Sequence, residues 1–161
     1  ADVFRSAAFH AVLLGDTVTG EAREVAKVYA ALVREIRAYN NPLKPPVALI
    51  SGGECTVTLP PGTTGRGGRC TEFLLSLAVE LEGTPEVYAV ACDTDGIDGS
   101  EDNAGAWLAP RSIEDAAIAG VSARAALDQR DSYGFFHAAG SLIRTGPTLT
   151  NVNDYRVILI R

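Results

Sequence analysis

Residues 47–54 read VALISGGE, and this segment gives the clearest signal of the fold class. Four apolar residues form a run of strand length, and a polar segment with two glycines follows directly. The same arrangement recurs at residues 87–98, where VYAVA precedes CDTDGID. Apolar runs that end in polar loops are typical of buried strands in α/β sheets, in which ligands bind beyond the carboxyl ends of the strands. We therefore expect the functional residues in these loops.

Helical periodicity alternates with the strands. Apolar residues recur at helical spacing over residues 21–39, and residues 73–81 predict another helix, which Gly83 ends. Ser122 and Asp131 are candidate N-caps of two short helices. Further strands are predicted at residues 9–14, 54–59, 142–144 and 157–160. This alternation predicts a layered α/β/α domain with a parallel or mixed central sheet.

The composition limits the function classes. With 161 residues, 47% of them apolar and 21% charged, the chain is expected to form a single domain over residues 1–161. Its net charge of −6 disfavours binding to nucleic acid or to an anionic membrane surface. No apolar run approaches the roughly 18 residues of a spanning helix. We therefore predict a soluble protein.

The three cysteines are odd in number and lack the spacing of a zinc site. Unpaired thiols fit a reducing compartment, so we predict a cytoplasmic location. Cys55 and Cys92 lie in apolar runs and are expected to act as small core residues. Cys70 follows Arg69 at a predicted helix start, where the pKa of a thiol could be lowered.

A glycine-rich loop precedes the second helix. Residues 62–69 read GTTGRGGR, so free amides at the helix N-terminus, with Arg66 and Arg69, could hold a phosphate or carboxylate. The loop matches neither a Walker A motif nor a dinucleotide-binding fingerprint. The alternative is a flexible crossover whose arginines are solvated.

Two polar loops offer further candidate ligands. Asp93, Asp95 and Asp98 are expected to face water, a cation or basic partners, and Mg²⁺ with substrate phosphate oxygens suits such a turn. The alternative is a turn whose aspartates cap the next segment. The loop at 145–154 could fix a hydroxyl-bearing ligand, although Asn and Asp also serve ordinary turns.

Five motifs occur in one order: SGGE at 51–54, GRGGR at 65–69, TDGIDG at 94–99, DSY at 131–133 and TGPTLTNVND at 145–154. Together they resemble the MOFRL domain, the C-terminal part of the class II glycerate 2-kinase family. The resemblance covers about residues 47–161, and residues 1–46 resemble the segment just before it. Some relatives in that family carry the name hydroxypyruvate reductase.

The resemblance implies ATP-dependent phosphorylation of D-glycerate to 2-phosphoglycerate, with Mg²⁺, in a cleft between two domains. The family's larger N-terminal nucleotide-binding domain, with its catalytic lysine, is expected to be missing, which would make this chain a fragment carrying half of the active site. Whether the chain forms a homodimer is left open by the sequence.

Two alternatives remain. An NAD(P)H-dependent hydroxypyruvate reductase is the weaker one, because the chain has no Gly-x-Gly-x-x-Gly turn. The other is a non-catalytic anion-binding or assembly domain.

The resemblance also implies roles for single residues. Arg69 is the first candidate for contacting the substrate carboxylate or phosphate, and Arg66 is the second. Glu54, Asp93 and Asp95 would organise Mg²⁺ or orient the glycerate hydroxyl. The cleft is expected to be lined by Ser51, Gly52, Gly53, Gly67, Gly68, Asn151, Asn153 and Asp154.

The chain departs from the family at one motif. The family sequence usually continues Gly-Gly-Arg-Asn-Gln-Glu, whereas Cys70 and Thr71 stand here in place of the two amides. If those amides only start the helix in relatives, Thr71 can take over the capping role. If they touch the ligand, substrate preference could differ here.

Overall fold

The computed structural model describes residues 1–82 and 84–161, and Gly83, predicted to end a helix, lies outside them. In chain order the elements are α1 (Asp2–Ser6), β1 (His10–Leu13), β2 (Val18–Glu21), α2 (Ala22–Tyr39), β3 (Val47–Thr56), α3 (Arg69–Glu80), β4 (Val87–Asp93), β5 (Gly105–Leu108), α4 (Ser112–Ile118), α5 (Ala123–Asp128), α6 (Ser132–Ala138), β6 (Leu142–Ile143) and β7 (Asp154–Ile160). The α/β class predicted from the sequence is confirmed.

The described residues form a seven-stranded mixed sheet in the order β1-β3-β7-β4-β5-β6, with β2 paired to β3 beyond β1. β1 and β2 run parallel to β3, whereas β7 runs antiparallel to both β3 and β4. β3 and β4 therefore point the same way, and their carboxyl ends meet the amino end of β7 at one edge. This edge receives the polar loops that the sequence singled out.

Helices flank both faces of the sheet, but very unequally. Helices α2 to α6 contribute to one large apolar core on one face, in which α3 is buried along most of its length. On the other face, Phe4 of α1 packs on a small cluster formed by Ala11, Ala48, Ile50 and Val157. The predicted layers are thus present, with most of the helical mass on one side. None of the helices in the described part of the chain has the length and hydrophobicity that crossing a bilayer requires.

The structure corrects the predicted strands around residues 51–59. Two strands were expected at 47–50 and 54–59, but β3 runs unbroken from Val47 to Thr56. Gly53 adopts φ 114°, and a Cβ there would lie 2.2 Å from the carbonyl oxygen of Val18. The glycine therefore lets β2 pair closely with β3 and does not end the strand.

Short elements escaped the sequence analysis. α1, β2 and β5 were not predicted, because runs of four or five residues carry too little periodicity to stand out. Two N-caps were predicted correctly: Ser122 and Asp131 cap α5 and α6 by accepting backbone hydrogen bonds.

A buried ion cluster joins α2 to α3. The Glu72 carboxylate, 1% exposed, accepts hydrogen bonds at Oε1 from Arg23 Nη2 at 2.5 Å and from Arg130 Nη1 at 2.7 Å. Arg130 Nη1 also lies 3.3 Å from the Glu21 carboxylate. A buried carboxylate is stabilised here by two guanidiniums, so removing its charge leaves both with weaker partners.

We predict that Glu72→Gln lowers the free energy of unfolding by about 2–3 kcal/mol, because it breaks a buried ion cluster while keeping the side-chain shape. Urea unfolding followed by circular dichroism measures the change. Glu24→Gln is the matched control: this residue pairs with Lys27 on the exposed face of α2 and should cost about 0.5 kcal/mol or less. Equal effects of the two substitutions would contradict a structural role for the cluster.

Candidate functional site

The candidate site is centred on Arg69, the first residue of α3. Its guanidinium donates from Nε to Asp154 Oδ1 at 2.6 Å, from Nη2 to Asp93 Oδ2 at 2.6 Å, and from Nη1 to Glu54 Oε1 at 3.1 Å. Asp93 ends β4, Asp154 begins β7, and the two are directly paired in the sheet. The guanidinium thus joins the helix to three strands at one edge.

Behind Arg69, a second arginine holds the same carboxylate. Arg156, 1% exposed, donates to Asp154 Oδ2, to Cys55 Sγ at 3.0 Å and to the Gly52 carbonyl at 3.1 Å. Sequence reasoning missed Arg156. The available signal was an arginine directly before the apolar run at residues 157–160.

Burial and charge shift the pKa values in this cluster. Burial raises the pKa of Asp93 above its ordinary value, against the opposite effects of the Asp95 amide and the Arg69 guanidinium. Burial alone would lower the pKa of Arg69, but the hydrogen bond and charge of Asp154, together with Asp93, raise it. Arg69 is therefore a permanent cation.

The amides at the N-terminus of α3 are not free. Asp98 Oδ1 accepts from the Cys70 amide at 2.9 Å, and Oδ2 accepts from the Thr71 amide at 2.9 Å and its hydroxyl at 2.7 Å. The anion site predicted at this helix start is therefore already filled by a carboxylate of the protein. Asp98 itself is fully buried and does not face water or a cation.

Thr71 supports the same helix start from its own side chain. Its hydroxyl accepts a hydrogen bond from the Gly68 amide at 3.0 Å, which is the capping role expected for the residue that replaces an amide of the family motif. A Cβ on Gly68 would lie 2.3 Å from Asp98 Oδ1, and one on Gly67 would lie 2.0 Å from Ser132 Oγ. Both glycines therefore permit close packing at the start of α3.

Arg66 contacts a different set of groups from Arg69. Its Nη1 lies 3.6 Å from Glu101 Oε2, and its guanidinium carbon lies 4.5 Å from the centre of the Tyr133 ring. Tyr133 donates its hydroxyl to Asp102 at 2.9 Å. The two loop arginines thus each pair with carboxylates, and Arg66 is the more exposed of the two.

Asp95 lies on the same rim as Arg69. Its amide donates to Asp93 Oδ1 at 3.2 Å, while the other oxygen of Asp93 binds Arg69. The Asp95 carboxylate accepts from the Ile97 amide at 2.8 Å. The sequence prediction that the acidic turn and Arg69 meet thus agrees with this geometry.

Thr94 binds the 145–154 loop to the acidic turn that contains Asp93 and Asp95. Its hydroxyl donates to the Asn153 carbonyl at 2.7 Å and accepts from the Val152 amide at 2.9 Å. Asn151 Oδ1 accepts from the Asn153 amide at 3.0 Å, which is the ordinary turn role that the sequence left open. Thr94 was not among the predicted site residues, because a threonine in a turn gives no distinctive signal.

Two clefts open at this edge of the sheet. One, of about 520 Å³, is lined by residues that include Ser51, Gly52, Asp154 and Tyr155. Another, of about 330 Å³, is lined by residues that include Asp95 and Asn151. A separate groove between α3 and α4, also about 330 Å³, lies away from these carboxylates.

Within the described residues, no group of three or more His, Cys, Asp or Glu side chains could hold a metal ion. Asp93, predicted as a metal ligand, is bound to Arg69. Mg²⁺ takes one or two carboxylates together with phosphate oxygens and water. The donor set therefore suits a Mg²⁺ that arrives with a phosphorylated ligand better than a resident ion.

Comparison with known proteins gives a consistent set of relatives. The profile of the MOFRL family matches residues 47–154. Two Agrobacterium vitis proteins named "Putative hydroxypyruvate reductase" are 54% and 50% identical over 149 residues, covering 92% of this chain and 34% and 39% of theirs. The D-glycerate 2-kinase of Thermotoga maritima is 38% identical over 152 residues, covering 94% of this chain and 36% of that protein. The chain thus spans about a third of the length of these curated relatives.

Solved structures match the fold closely. The crystal structure of a glycerate kinase from Thermotoga maritima superposes with a TM-score of 0.93 at 36% identity, covering 99% of this chain and 38% of that one. A protein from Pyrococcus horikoshii gives a TM-score of 0.92 at 34% identity, covering 99% and 36%.

We predict that Asp98→Ala lowers the free energy of unfolding by about 2–4 kcal/mol, because it leaves two buried amides and a hydroxyl without their acceptor. Chemical denaturation measures the change. Ser122→Ala, at the exposed N-cap of the short helix α5, is the matched control and should cost about 1 kcal/mol. A loss at Asp98 no larger than at Ser122 would argue against this capping role.

The cysteines give a prediction about pH. Burial raises the pKa of Cys70, contrary to the lowering expected at a helix start, and raises that of Cys92 to about 11. Cys92 is the partly exposed one of the three thiols. Because the thiolate reacts, native alkylation mapped by mass spectrometry should fall on Cys92 and rise about tenfold per pH unit from pH 7 to 10. A plateau near pH 8.5, the ordinary thiol pKa, would contradict the shift.

Proposed function

This chain belongs to the MOFRL family, and from that premise we propose that it supplies half of the active site of a D-glycerate 2-kinase. The reaction is ATP-dependent transfer of a phosphoryl group to the 2-hydroxyl of D-glycerate, giving 2-phosphoglycerate. The observation that carries the proposal is the Arg69 cluster at the edge of a sheet that relatives named glycerate kinase share.

The other half of the site is proposed to come from a further domain. The chain covers 36% of the Thermotoga maritima D-glycerate 2-kinase and 34% of the Pyrococcus horikoshii glycerate 2-kinase. In this proposal the further domain binds ATP and provides a catalytic lysine, and the substrate lies in the cleft between the two domains. That domain and glycerate are the partners, and a homodimer stays an open alternative.

Phosphoryl transfer depends on positioning and on positive charge near the moving group. We assign to Arg69 the contact with the substrate carboxylate or phosphate, because Asp93 and Asp154 fix its guanidinium while Nη1 faces the half-exposed Glu54. Arg66 is the second candidate. Asp95 is assigned to the glycerate hydroxyl or to Mg²⁺. The proposed cleft wall consists of Ser51, Gly52, Gly53, Gly67, Gly68, Asn151, Asn153 and Asp154.

The proposed cofactors are ATP and Mg²⁺. Mg²⁺, when bound, neutralises charge on the phosphate oxygens. Asp95 fits this ion better than Asp93, whose carboxylate is already paired with Arg69. Three unpaired thiols fit the reducing environment of the cytoplasm, where we place the reaction.

A second candidate is an oxidoreductase acting on hydroxypyruvate. The names of the two Agrobacterium vitis relatives, at 54% and 50% identity, favour it. Hydride transfer needs a nicotinamide cofactor, and the sequence has no Gly-x-Gly-x-x-Gly turn. The cofactor would therefore have to bind outside this chain, which makes the kinase the better-supported reading.

The test is a chimera in which this chain replaces the aligned part of the Thermotoga maritima D-glycerate 2-kinase. We expect the chimera to phosphorylate D-glycerate with ATP and Mg²⁺, and the 161-residue chain alone to be inactive. Arg69→Lys should lower kcat/KM about 100-fold, because it keeps the charge and loses the fork of donors. Arg111→Lys, at the exposed residue just before α4, is the matched control and should leave activity unchanged.

The other outcomes would favour a different function or a different role for Arg69. Oxidation of reduced nicotinamide by hydroxypyruvate, without phosphorylation, would support the reductase. A chimera that folds but is silent in both assays would support a non-catalytic anion-binding or assembly domain. Full activity in the Arg69→Lys chimera would remove Arg69 from the proposed site.

A further inference from the structure

The three carboxylates around Arg69 differ sharply in exposure. The side chains of Asp154 and Asp93 are 0% and 5% exposed, whereas that of Glu54 is 56% exposed. The contact lengths follow the same order, with 2.6 Å to each buried aspartate and 3.1 Å to Glu54. Glu54 is therefore the outer partner of the guanidinium.

The outer contact is also the weak one. Water and salt screen an exposed ion pair, and holding two long side chains together costs conformational entropy, so such pairs contribute little. A buried pair cannot be broken without leaving a desolvated charge behind. A ligand that replaces one of these partners should therefore displace Glu54 and leave Asp93 and Asp154 in place.

We propose that Glu54 is a displaceable placeholder, whose carboxylate occupies the position on Arg69 Nη1 that a carboxylate or phosphate group of the substrate takes on binding. The proposal rests on the function above for the class of ligand, a small phosphorylated or phosphate-accepting acid. It gives Glu54 a role as a determinant of anion affinity, in place of the metal or hydroxyl role that the family resemblance implied.

The planar guanidinium explains why the contact at Nη1 is the exchangeable one. Nε and Nη2 each donate to a buried aspartate, so the plane cannot rotate without unpairing one of them. Arg66 provides no second cation at this point, because its guanidinium is stacked on Tyr133 and paired with Glu101. The three contacts use three of the five N–H groups of Arg69. An anion that binds on the outer, Nη1 side therefore competes with Glu54.

The experiment measures anion binding by the 161-residue chain. Inorganic phosphate and, separately, D-glycerate are titrated at constant ionic strength and pH 7.5 by calorimetry, and the ¹⁵Nε–H resonance of Arg69 is followed by NMR. We expect Glu54→Gln to bind at least one of these anions about two- to fivefold more tightly than the wild-type chain, the range expected for losing an exposed ion pair. The Arg69 resonance should shift on binding in both proteins.

Glu114→Gln is the matched control. It removes the same charge from an exposed glutamate on α4, beside the groove at the opposite end of α3, and should leave anion binding at the wild-type value. Because Glu54 is exposed, its substitution should also leave the melting temperature nearly unchanged. If Glu54→Gln gains affinity for phosphate alone, the position on Arg69 Nη1 is assigned to a phosphate group. If it gains affinity for D-glycerate alone, the position is assigned to a carboxylate.

The proposal is overturned if Glu54→Gln binds both anions no more tightly than Glu114→Gln, including the case in which no variant binds either one. Binding that leaves the Arg69 resonance unmoved would overturn it as well. These readouts do not involve ATP. If the chimera is inactive as a kinase but Glu54→Gln binds anions more tightly, the proposed function is rejected and the placeholder role of Glu54 stands. If the chimera is active but Glu54→Gln does not bind anions more tightly, only the placeholder role is rejected.

Discussion

The ion pair between Arg69 and Asp154 is the interaction on which this edge of the molecule depends. An isolated carboxylate in the protein interior would cost several kcal/mol, and Asp154 is fully buried. Arg69 donates to one of its oxygens and Arg156 to the other, and the Cys55 amide adds a hydrogen bond at 3.3 Å. The first residue of α3 is thereby fixed to β7, and through Asp93 to β4.

This arrangement also determines where positive charge remains available. A helix N-terminus normally attracts anions, but Asp98 occupies the first amides of α3. The partial charge of the helix is therefore satisfied inside the protein. To the anion that we propose, the rim would present the outer side of one guanidinium with a defined direction. That geometry would favour a planar carboxylate or a phosphate over general attraction of negative charge.

The sequence predicted the meeting of the loops but not the pairing within them. Apolar runs that end in polar loops indicated that segments 51–54, 93–98 and 145–154 would lie together, and the mixed sheet brings them to one edge. Which carboxylate meets which donor depends on register and on sequence-distant packing, as with Asp98 and the start of α3. Arg156 was missed for the same reason, since a charged residue next to an apolar run reveals its partner only once the strands are aligned.

A cation held as tightly as Arg69 suits one part of phosphoryl transfer and not another. Its guanidinium is anchored at Nε and Nη2, so it can fix a substrate group at a constant position but cannot follow a phosphoryl group as it moves. Charge that accompanies the moving group has to come from ions or side chains bound to the nucleotide itself. In the proposed kinase, this rim would therefore orient the acceptor, and the domain that binds the nucleotide would carry the mobile charge. Such a division fits an active site built between two domains, because closing the cleft then brings a pre-oriented hydroxyl to the nucleotide.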